Sequence, residues 1–204
     1  MKKMTEAFFA FIKANKALII CFSFVFILGV ISGSYFLGFL PESGSLHIKN
    51  NLDIFFSVYK IQAVSPEEVF KSILKQNMLS FVYLWLSGMF LFLIPVAFLQ
   101  IFIKGIRLGF SIGYFYTMYS GRGLLFSVME LTFANVILLP LMILYAVYCV
   151  RFSKNLYRMK NFHSRVSKTK MYASSFLCLI FVFLAVVCAS FLNSYVLLCL
   201  MKLV

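Results

Sequence analysis

An all-α fold, specifically a polytopic helical membrane protein, is predicted by three observations. The 204-residue chain is 63% hydrophobic and only 12% charged, where a soluble domain carries about 25% charged residues. Several of its apolar runs reach the roughly 20 residues that a helix needs to cross a bilayer. Its basic residues are gathered into a few segments between those runs, as expected of loops held on the cytosolic side. The whole chain, 1–204, reads as a single membrane domain of about five transmembrane helices plus an amphipathic extracytosolic helical loop.

The N-terminal segment, residues 1–16, carries Lys2, Lys3, Lys13 and Lys16 against Glu6. The first span follows at about 17–40. Its apolar run exceeds the roughly 7–15 residues of a signal-peptide core and no A-x-A site follows, so an uncleaved signal anchor is expected. Gly29 and Gly33 sit four apart on this span, a small-xxx-small pair that lets another helix approach closely.

Residues 41–77 form a loop of balanced charge, with Lys49, Lys60, Lys71 and Lys75 against Glu42, Asp53, Glu67 and Glu68. Ile48, Leu52, Phe55, Phe56 and Tyr59 recur at the spacing of one helix face. Leu52, Phe55, Phe56 and Tyr59 are therefore candidates for docking a partner outside the cytosol, or for resting on the outer leaflet. Ser65-Pro66-Glu67-Glu68 reads as a helix start. Ser65 can cap, Pro66 suits the first helical position, and Glu68 completes a capping box.

The second span is expected at about 78–102, with Pro95 inside it. Lys104 and Arg107 then mark a cytosolic turn, and a short third span covers about 106–120. If the chain instead breaks near Pro95, these two charges fall inside the membrane, at a cost of a few kcal/mol unless paired. Gly105, Gly109 and Gly113 repeat every four residues and stripe one helix face. That stripe suits packing within the subunit or contact with a second copy of the chain.

Gly121-Arg122-Gly123 reads as a turn into a fourth span at about 124–150, which contains Glu130, Asn135 and Pro140. A basic cytosolic loop, 151–170, holds seven lysines and arginines and no acid. The fifth span is about 172–195. These assignments place the N-terminus in the cytosol and the C-terminus outside it. The net charge of +13 is thus accounted for by cytosolic loops beside membrane lipids, and no nucleic-acid partner is expected.

No catalytic set, metal cluster or cofactor motif stands out. His47 and His163 lie in loops, which excludes an intramembrane Ser-His pair. Cys21, Cys149, Cys178, Cys188 and Cys199 all lie in apolar runs without a CxxC pair, and read as small packing residues. The polar residues of functional interest are Lys104, Arg107, Glu130 and Asn135, because ionisable or polar groups at membrane depth are costly to keep.

The organisation resembles the stage II sporulation protein M family. The similarity rests on LGVISG (28–33), IPVAFLQIFIKGIRLGFSIGYF (94–115), NVILLP (135–140) and YAVYCVRFS (145–153). It implies a non-enzymatic membrane scaffold or anchor that localises peptidoglycan-degrading enzymes during engulfment in endospore formation. The implied partners are stage II sporulation proteins D and P. The alternative is a membrane subunit of a transporter, coupled to a separate ATPase. A lipid-directed enzyme with Glu130 as base lacks a second catalytic group.

Overall fold

The computed structural model describes residues 2–36, 66–161 and 168–201 of the chain. All the described elements are helical: α1 (Lys2–Ala14), α2 (Lys16–Phe36), α3 (Pro66–Met89), a single 3-10 turn (Leu91–Leu93), α4 (Ile94–Asn161) and α5 (Lys168–Met201). Leu52, Phe55, Phe56 and Tyr59, with the rest of the expected outer amphipathic helix, lie outside the described residues.

Among the described residues, four segments are long and apolar enough to cross a membrane: Lys16–Phe36, Leu91–Tyr114, Val136–Arg158 and Met171–Leu192. Their outward faces carry residues such as Phe24, Tyr35 and Phe181, the last 72% exposed. Helices apolar on every side belong in lipid. The chain is a multi-pass membrane protein.

Asn15 divides α1 from α2. It is buried, and its amide donates to the Phe11 carbonyl at 2.6 Å. Its own carbonyl accepts from the Ile19 N–H at 3.0 Å, so the junction leaves few backbone groups unpaired.

The 68 residues of α4 would stretch to roughly 100 Å if straight. They do not. Phe98 stacks on Phe22, with ring centroids 4.2 Å apart. Pro140, Ile143 and Leu144 line a groove with Ile19, Ser23 and Phe26 of that same α2. A straight helix would hold Phe98 and Pro140 roughly 60 Å apart. The path of α4 therefore doubles back between Tyr114 and Val136, giving a first arm (94–114) and a second arm (136–161).

The passes alternate in direction. The first arm runs parallel to α2, since Phe22 meets Phe98 and Gly29 meets Gly105. Helix α3 runs the other way, with Asn77 beside Lys104. The second arm runs with α3, pairing Phe81 with Tyr145 and Gly88 with Cys149. Helix α5 runs against both, with Trp85 reaching Ser175 and Asn77 reaching Ser190. The core binds all of them together through Phe22, Phe81, Leu84, Ile101, Ala146, Val147 and Val186.

One boundary differs from the sequence expectation. A span over 78–102 and a turn at Lys104 and Arg107 were anticipated. The chain instead breaks at Phe90, which is extended (φ −127°, ψ 130°) ahead of the 3-10 turn. It then stays helical through Lys104 and Arg107. Pro95 explains the shift. It lies in the first turn of α4, where its fixed φ fits and its missing N–H would be unpaired in any case. The proline starts a helix rather than interrupting one.

Candidate functional site

Two features converge on the first arm of α4. On one side it meets α2 through glycine. A side-chain carbon placed on Gly29 would lie 2.5 Å from the Phe102 carbonyl oxygen, and one on Gly105 would lie 2.5 Å from that of Phe26. The same construction at Gly33 falls on the Ile106 carbonyl, and at Gly109 on the Val30 carbonyl, closer still. Only glycine permits this approach, because the obstacle is backbone and cannot rotate away. Ser34 adds a cross-link: its single hydroxyl proton is shared between the Gly109 carbonyl at 3.2 Å and the Val30 carbonyl of its own helix at 3.0 Å. Gly113, one turn further along, is half-buried.

On its other side, the first arm is tied to α3 and α5 by a polar chain. The Lys104 ammonium donates to Asn77 Oδ1 at 3.4 Å, and Asn77 Nδ2 donates to Ser190 Oγ at 3.2 Å. Asn77 and Ser190 are both buried. The ammonium thus has a neutral partner. An ion pair, Lys71 with Glu67 at 3.7 Å, lies on exposed side chains of α3. It contributes little in water. Arg107 is exposed one turn beyond Lys104, where its long side chain can reach toward the nearer membrane boundary.

Four residues of interest in the sequence, Lys104, Arg107, Glu130 and Asn135, all belong to α4. Lys104 and Arg107 sit together on the first arm. Glu130 and Asn135 fall in 115–135, of which only the backbone is described. The partners of Lys104 were not anticipated. Asn77 stood at the edge of the expected outer loop, and Ser190 was one serine among several in an apolar run. A polar residue at the end of an apolar run, one helical hairpin away from a lysine, was the available signal.

Cys21 and Cys188 are exposed on the outer surface of the bundle, while Cys149 is buried; these and Cys178 are free thiols. Among the described residues, no group of histidine, cysteine and carboxylate side chains could hold a metal.

The stage II sporulation protein M family model matches residues 5–196, which takes in α1, all the candidate spans and the glycine contact. The chain belongs to the stage II sporulation protein M family. Membership supports a sporulation-related membrane protein, in a family not known for enzymes. No curated protein and no solved structure matches the chain. Within this family member, the motif residues of 94–115 form the first arm of α4, so the glycines and Lys104 of that motif serve two different contacts.

Proposed function

We propose that the protein is a membrane scaffold that anchors peptidoglycan-degrading enzymes during engulfment, with stage II sporulation proteins D and P as its partners. The match to the stage II sporulation protein M family over residues 5–196 carries this reading. The bundle suits the role. Helices locked by backbone contact at Gly29, Gly33, Gly105 and Gly109 hold a fixed shape on which a partner can dock. The scaffold acts by position rather than by chemistry.

In this reading α3 also crosses the membrane, which makes five crossings, with the N-terminus cytosolic and the C-terminus outside. What supports the orientation is a shared end. Phe11 of α1 and Arg151 of α4 line one groove, so the basic segments around Lys13, Lys16, Arg151, Lys154 and Arg158 gather on one side. The positive-inside rule makes that side the cytosol. The docking surface is then the extracytosolic segment with Leu52, Phe55, Phe56 and Tyr59.

The experiment is co-purification of the two hydrolases with the tagged full chain from sporulating cells. Phe55→Ser with Phe56→Ser removes two large apolar contacts, each contributing about 1.5–3 kcal/mol if buried. Recovery of the hydrolases should fall at unchanged membrane level. Equal recovery would move the contact away from this segment.

A transport subunit is the second reading, and the Lys104–Asn77–Ser190 chain at membrane depth favours it. Lys104→Met separates the two. A transporter loses a measurable flux when the charge is removed, whereas a scaffold has no flux to lose.

A further inference from the structure

The cytosol-facing end of the bundle holds a groove of about 270 Å³ where three helices meet. Phe11 comes from α1, Tyr148, Arg151 and Asn155 from the second arm of α4, and Met171 and Ser174 from α5. A second groove, of about 410 Å³ and almost wholly apolar, runs between α2 and the second arm. It takes in Ile12, Ile19, Ile27, Pro140 and Leu144. Phe11 of the first and Ile12 of the second are consecutive in α1, and Tyr148 and Leu144 stand one turn apart in α4. The grooves share one stripe of the second arm: Pro140, Leu144, Tyr148, Arg151 and Asn155 are spaced by four or three and lie on one face.

We propose that the two grooves together bind one anionic glycerophospholipid, with its phosphate on Arg151 and an acyl chain between α2 and the second arm of α4. The inference is independent of which proteins the scaffold recruits.

Depth is the first support. Phe152 packs on Tyr172, with ring centroids 6.0 Å apart, and the candidate spans begin at Lys16 and Met171. Arg151 therefore stands within the last two turns of the Val136–Arg158 span, near a membrane boundary, from which its long side chain reaches the level of lipid phosphates. Donor chemistry is the second. Guanidinium presents a planar fork of N–H groups that matches phosphate oxygens two at a time. The Tyr148 and Ser174 hydroxyls and the Asn155 amide line the same groove. Arg151 is exposed and makes no hydrogen bond or ion pair with the other described residues, so its donors are open to a ligand. Lys13, Lys16, Lys154 and Arg158 are exposed around it, which raises the local concentration of anionic lipid.

The apolar groove decides between a lipid and a free phosphate. From Ile19 to Ile27 it follows roughly 12 Å of α2, with Ile12 of α1 beyond, enough to take an acyl chain across most of its own leaflet of a hydrocarbon core about 30 Å thick. A free phosphate would leave this groove unfilled. A zwitterionic lipid would fill it but bring a second cation toward Arg151.

The test uses the full chain in detergent, incubated with phosphatidylglycerol or phosphatidylcholine and read by native mass spectrometry. Phosphatidylglycerol should remain bound preferentially. Arg151→Gln should weaken that retention by about tenfold, while Arg158→Gln, at the same end but outside the groove, should change it little. Leu144→Trp fills the apolar groove without altering charge and should also release the lipid. Arg151→Lys keeps the charge and loses the fork, so it should fall between wild type and Arg151→Gln and serves if the glutamine variant does not fold. Equal losses from Arg151→Gln and Arg158→Gln would mean diffuse attraction and overturn the site. Displacement by inorganic phosphate, with Leu144→Trp unaffected, would leave a phosphate site and overturn the lipid.

Discussion

A single methyl group added at Gly109 tests the contact on which the bundle depends. In the structure, a side-chain carbon there lands on the Val30 carbonyl, and at the neighbouring Gly105 it would stand 2.5 Å from the Phe26 oxygen. The obstacle at both places is helix backbone. To restore ordinary contact, α2 and the first arm of α4 must part by well over 1 Å, and even a gap of about 1 Å forfeits up to roughly half of the dispersion attraction between the atoms that line it. In lipid, no hydrophobic force returns the loss, because acyl chains solvate the parted faces equally well. Gly109→Ala should therefore cost about 1–3 kcal/mol, and Gly109→Leu more. For a chain of this size, each kcal/mol lowers the melting temperature by roughly 2–4 °C. The assay is thermal unfolding of the detergent-solubilised full chain, followed by the surviving monodisperse fraction. Phe24→Ala is the control, since Phe24 is 59% exposed on α2. Should Gly109→Ala melt with the wild type, or Phe24→Ala fall as far as Gly109→Ala, the close-packing argument is wrong.

Three other outcomes are expected. Asn77→Leu leaves the Lys104 ammonium without its partner and should destabilise by about 1.5–3 kcal/mol; adding Lys104→Met should recover much of that, and purely additive losses would show that the two side chains do not interact. Gly88→Val should destabilise by about 1–3 kcal/mol, because even its first side-chain carbon would stand 3.0 Å from that of Cys149 and 3.2 Å from the Cys149 backbone; a melting temperature equal to that of the wild type would show that α3 and the second arm do not meet there. A reporter fused at Val204 should be active only outside the cytosol, and cytosolic activity would contradict the proposed orientation.

The helical membrane class was legible because it rests on run length and composition, which no tertiary contact can override. The glycine spacing was legible for a similar reason. Four-residue intervals at Gly29/Gly33 and Gly105/Gly109 fix a face whatever lies against it. That these two faces meet each other was not written in either one, since a glycine stripe says that something approaches and leaves the neighbour open. The break at Phe90 was harder. Charge is the loudest signal in an apolar sequence, and it drew the expected turn to Lys104 and Arg107. The competing signal was Pro95, and a proline marks a helix start or a kink with equal ease until its neighbours are known. What tipped the balance was a partner for Lys104 on another helix. The cost of a charge at membrane depth is decided by such contacts, which a linear reading does not contain.

The first arm of α4 explains how one motif can serve two purposes. Adjacent helix positions differ in direction by about 100°, so Lys104 and Gly105 look toward different neighbours. Gly105 and Gly109 admit the backbone of α2. Lys104 reaches Asn77 on α3, and through it Ser190 on α5. The apolar contact depends on distance alone and would tolerate sliding of one helix along the other. The polar chain has direction and tolerates little, because a shift of one residue along the arm would strand the ammonium among apolar groups. Tight contact thus sets how near the helices stand, and the half-buried lysine sets their register. A bundle fixed in both respects holds its helix ends in one arrangement, which is the property the proposed scaffold needs. It also leaves the lysine with a structural reason to sit inside the membrane that requires no transported ion.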